Sequence, residues 1–117
     1  MYAPVAGNEE CLAVYCTTPD KASAESMGET LVRERLAACV NIVEGITSLY
    51  WWGGSVTRDN ECACILKTTR GRYAELEARI RELHTYDVPC IVAVPVTLGN
   101  PAFLDWVRAE TNPFATA

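Results

Sequence analysis

Apolar and polar positions alternate between two rhythms along this chain. Cys11 to Thr17 (CLAVYCT) is a short apolar run with no polar side chain until its end, the pattern of a strand covered on both faces. Thr18 and Pro19 offer an N-cap followed by proline at the first helical position. Met27, Leu31 and the Val32/Leu36 pair follow at near-helical spacing and predict an amphipathic helix ending near Ala37. Cys39 to Trp52 is rich in β-formers and interrupted by Gly45, which reads as a bulge or bend in one long strand. Gly53-Gly54 is a hairpin turn, and the return strand runs from about Ser55 to Thr68 through the apolar stretch CACIL. A second helix carries Tyr73, Leu76, Ile80 and Leu83 on one face, with His84 at its C-terminal end. Pro89 leads into a last strand, Cys90 to Thr97, and Asn100-Pro101 opens a short final helix with Phe103, Leu104, Trp106 and Val107.

The order β-α-β-β-α-β plus a terminal helix, joined by right-handed crossovers, predicts an α+β, ferredoxin-like sheet. Its first and third strands are central and its second and fourth are edges. Pro95 in the fourth strand agrees, because proline cannot donate to a central ladder. The domain is expected over residues 11–110, with loose termini at 1–10 and 111–117.

Composition changes this picture in three ways. A chain of 117 residues, half of them apolar, buries a core without staples. The net charge of −5 argues against a nucleic-acid partner. The basic cluster Arg70, Arg72, Arg79 and Arg81 is interleaved with Glu75, Glu77 and Glu82, which reads as an ion-paired helix face. No apolar run is long enough to span a membrane, and the first ten residues lack the basic and apolar regions of a signal peptide. The expected setting is therefore cytoplasmic and reducing, with all six cysteines as thiols.

Candidate chemistry concentrates at a few positions. The hairpin tip carries Tyr50, Trp51 and Trp52, more rings than an overhanging hairpin can bury in its own monomer. At ~150–250 Å² per ring, burying half of them against a neighbour is worth on the order of 5–9 kcal/mol, so they are read as an oligomer interface. No CxxC pair or zinc-finger spacing occurs, and Cys11, Cys62 and Cys64 read as small core hydrophobes. Cys16 differs because it ends the first strand, where ligands gather in α/β sheets, and Cys39 comes just after the first helix. His84 is either a helix C-terminal dipole partner or, with a thiolate, a ligand for Cu(I) or Zn(II). No nucleophile elbow, phosphate loop or paired-carboxylate arrangement appears, so no enzymatic activity is expected. RNA binding on the sheet is disfavoured, because the third strand lacks aromatics.

Several words in the sequence carry a resemblance. Cys16-Thr17-Thr18-Pro19-Asp20, Arg35-Leu36-Ala37-Ala38-Cys39-Val40-Asn41-Ile42, Ser48-Leu49-Tyr50-Trp51-Trp52, Leu66-Lys67-Thr68, His84-Thr85-Tyr86-Asp87-Val88-Pro89 and Leu104-Asp105-Trp106 resemble the divalent-cation tolerance proteins called CutA. The likeness covers nearly all of 11–109. It implies a ferredoxin-like fold, a tight homotrimer built through the long hairpins and edge strands, and a role in copper or divalent-cation tolerance. It implies copper ligands at Cys16 and at the end of the second helix, where His84 is present and the preceding position is Leu83. Gly53 stands where the family carries a glutamate, and Cys90 stands where it carries another, which shifts the donors towards soft ions. The metal set expected is thus Cys16, His84 and Cys39, holding copper or another divalent cation. Kinship with PII-like trimers implies an alternative, a sensor binding a small anion between subunits with Lys67 as its partner.

Overall fold

The computed structural model describes residues 7–114. Four strands form one antiparallel sheet: β1 (Cys11–Thr18), β2 (Cys39–Trp52), β3 (Ser55–Thr69) and β4 (Ile91–Pro95). Three helices accompany them: α1 (Lys21–Arg33), α2 (Arg70–Leu83) and α3 (Pro101–Glu110). The spatial order β2-β3-β1-β4 puts β1 and β3 in the centre and β2 and β4 at the edges, as the sequence predicts for a ferredoxin-like sheet. Of the termini expected to be loose, residues 1–6 and 115–117 lie outside the described residues, and Gly7–Glu9 forms a short 3₁₀ turn.

One face of the sheet holds the core. Leu12, Val14 and Cys16 of β1 and Cys62, Cys64 and Leu66 of β3 pack under Ala24, Met27 and Leu31 of α1 and Leu76 and Ile80 of α2. A smaller cluster joins Cys11 and Ala38 to Leu104 and Val107 of α3. The arginine-rich face of α2 is ion-paired: Arg70 with Glu10, Arg72 with Glu75, Arg79 with Glu34 and Glu82, and Arg81 with Glu77.

The structure corrects four local expectations. The N-cap of α1 is Asp20, whose carboxylate accepts the Ser23 N–H at 2.7 Å; Thr18 belongs to β1 and spends its hydroxyl on the Asp20 carbonyl. That helix stops at Arg33 rather than near Ala37, because Arg35 turns into the left-handed region (φ 61°) with its guanidinium on Glu110. The fourth strand is shorter than Cys90–Thr97: its ladder with β1 covers Ile91 to Pro95, and Val96 adds one last N–H bond to the Cys11 carbonyl. Finally, the face of β1 opposite α1 and α2 is covered only in part in the protomer: Cys11 packs on α3, whereas Tyr15 stands exposed beside Val92 of β4.

The hairpin is the feature that shapes the molecule. Only Cys62 to Thr69 of β3 pair with β1, so Ser55–Glu61 and their partners Ile46–Trp52 project as a bare two-stranded ribbon. At a rise of ~3.4 Å per residue this overhang reaches roughly 20 Å. The Cα radius of gyration, 15.2 Å, accordingly exceeds the ~13 Å of a globular chain of this length. Gly53 and Gly54 close the ribbon, both at positive φ (58° and 83°), the pair of values a tight twisted hairpin requires.

Candidate functional site

A bulge decides which side chains the ribbon presents. Between Val43/Ala63 and Ile46/Glu61 the β2 strand spends three residues against two on β3, with Gly45 at φ 75°. The extra residue reverses the alternation of β2. Before it, Cys39, Asn41 and Val43 lie on the face opposite α1 and α2. After it, Ile46, Ser48, Tyr50 and Trp52 continue on that face, opposite Glu61, Asp59, Thr57 and Ser55. Leu49, Trp51 and Val56 take the other face. Both sides of the ribbon therefore carry aromatic side chains, and Trp51 and Trp52 remain 74% and 60% exposed in the protomer.

Where the ribbon leaves the sheet, it forms one wall of a groove of about 680 Å³. Tyr15 and Thr17 of β1 contribute to the lining, and the segment 86–90 supplies Tyr86, Asp87, Val88 and Cys90 from the opposite side. Its charged members are Asp59, Glu61 and Asp87, with no lysine, arginine or histidine among the lining residues. Two tyrosines fix the carboxylates. The Tyr86 hydroxyl donates to Glu61 Oε2 at 2.9 Å, tying the 84–90 segment to β3, and the Tyr50 hydroxyl donates to Asp59 diagonally across the ribbon. Burial and the Glu61 bond push the Tyr86 phenol upward, so it stays a donor. The Asp59 bond raises Tyr50 in the same sense.

Behind Thr17 lies the pair expected to bind metal. The carbonyl of Thr17 accepts from Cys16 Sγ (3.6 Å) and meets His84 Nε2 at 2.7 Å. His84 Nδ1 accepts the backbone N–H of Tyr86 at 3.1 Å, so one neutral tautomer, protonated on Nε2, satisfies both ring nitrogens. His84 is also the C-cap of α2. Cys16 is fully buried on the helix side, and burial, reinforced by Cys64, Cys90 and Glu61, pushes its thiol up to about 12.

Cys39 is not part of this group in the protomer. It pairs with Lys67, which pairs with Ala13, three residues along β1 from Cys16 and on the opposite face of the sheet. Lys67 itself donates to Asn41 Oδ1 at 2.8 Å and stands outside the groove's lining. All six cysteines are free thiols. Among the described residues no three His, Cys, Asp or Glu side chains come together in a way that could hold a metal ion.

The sequence reading did not assemble the carboxylates. Asp59 and Glu61 are two apart on β3 and share a face by simple alternation, a signal that was present. Their pairing with Asp87 depends on where the 84–90 segment folds back, which no local pattern encodes.

Fold and groove together define a small α+β domain of the ferredoxin-like class with an acidic, aromatic-walled groove. Comparison with known proteins makes the assignment specific. The family model described as CutA1 divalent ion tolerance protein matches residues 12–110. The divalent-cation tolerance protein CutA of Thermus thermophilus is 47% identical over 99 residues, covering 85% of this chain and 96% of that protein. The CutA of Pyrococcus horikoshii is 45% identical over 101 residues, covering 86% and 98%. The solved Thermus thermophilus structure superposes with a TM-score of 0.84 at 45% identity, over 86% of this chain and 97% of that one. The chain belongs to the CutA1 divalent ion tolerance family.

Proposed function

We propose that this protein acts in divalent-cation tolerance as a homotrimer that binds copper or another divalent cation in the groove beneath the hairpin, as a binding protein rather than an enzyme. The observation that carries this reading is the groove's charge: three carboxylates and no basic side chain. Such a lining concentrates cations and repels anions. The alternative, a sensor binding a small anion between subunits with Lys67 as its partner, places the anion outside this groove.

Assembly enters for two reasons. A bare two-stranded ribbon is marginally stable in water, and its exposed rings need cover. The groove also lacks a complete donor set in one protomer, so a neighbouring subunit, together with water, supplies the remaining donors, and cation binding and assembly support each other. Cys16 and His84 stand outside the groove's lining, with Cys16 in the core on the other face of the sheet, and form a separate soft pair. A copper(I) ion recruits them by displacing the thiol proton and the Thr17 carbonyl contact; Cys39 joins only from another subunit. Free thiols throughout favour a reducing, cytoplasmic setting.

A thermal-shift screen separates the readings, since a ligand that binds only the native state raises Tm. Copper(II) and zinc are expected to raise it, ADP and phosphate to leave it unchanged, and Glu61→Gln to diminish the metal effect. A shift with the anions and none with the metals would transfer the function to the anion sensor.

A further inference from the structure

We draw no further inference here: the strongest candidate, the cleft of about 370 Å³ between α1 and the end of α2 with Met27, Leu83 and His84 in its lining, has no charged side chain and spends both nitrogens of its one imidazole on Thr17 and Tyr86, so nothing in the structure shows what covers it.

Discussion

Cys16 and Cys64 face each other across β1 and β3, both without solvent exposure, and burial pushes their thiols to about 12 and about 11 from an ordinary 9.0. Raised folded-state values mean that the native state holds these protons more tightly than the unfolded chain. Their contribution to stability is complete below about pH 9 and is lost as pH rises from there towards 11 and 12, at about 1.4 kcal/mol per pH unit for each thiol. Urea midpoints measured with reductant at pH 8 and pH 10.5 should therefore fall for the natural chain and fall less for Cys16→Ala. Equal losses in the two would show that Cys16 does not titrate in this way. A thiol held this firmly in its protonated form gives up its proton to a metal ion only at a cost. Its position at the end of a strand was legible in the sequence. Its orientation into the core, and the separation of Cys39 onto the other face, were not, because both follow from a ladder register set by tertiary pairing.

Among the elements, the β2–β3 hairpin was read with nearly the right limits, since a glycine pair between two β-rich runs is a local signal. Gly45 was legible as a bulge as well. Its consequence was not: one extra residue turns Tyr50 and Trp52 from the helix side to the groove side. A β-branched residue there must enter the left-handed region that Gly45 occupies at φ 75°, at a cost of about 1–2 kcal/mol. Gly45→Val should lower the denaturation midpoint accordingly and weaken cation binding, because the ribbon's alternation is disturbed. An unchanged midpoint would show that the bulge relocates without penalty. The helix boundaries fared less well. Thr18-Pro19 resembles a cap, but Asp20 supplies the stronger acceptor, and the strand claims Thr18 for its ladder with Cys62.

At the scale of the whole molecule, one protomer leaves much apolar surface open. Val43, Val92 and Val94 stand exposed on the sheet face opposite α1 and α2, and the ribbon extends a molecule 47 Å long with rings on both sides. Light scattering should report three times the 12.8 kDa chain mass, and Trp52→Glu should shift the population towards monomer by burying an unpaired charge at a packed contact. A monomeric natural chain would remove the account of the ribbon. The central claim is that assembly and the acidic groove make one cation site per chain. Equilibrium dialysis of copper(II) against tag-free protein tests it most directly. The account predicts saturable uptake near one ion per chain, and an affinity at least about tenfold lower, roughly 1.4 kcal/mol, in the trimeric double variant Glu61→Gln/Asp87→Asn. Copper uptake that the double variant leaves unchanged, or no saturable uptake by the natural chain, would contradict it.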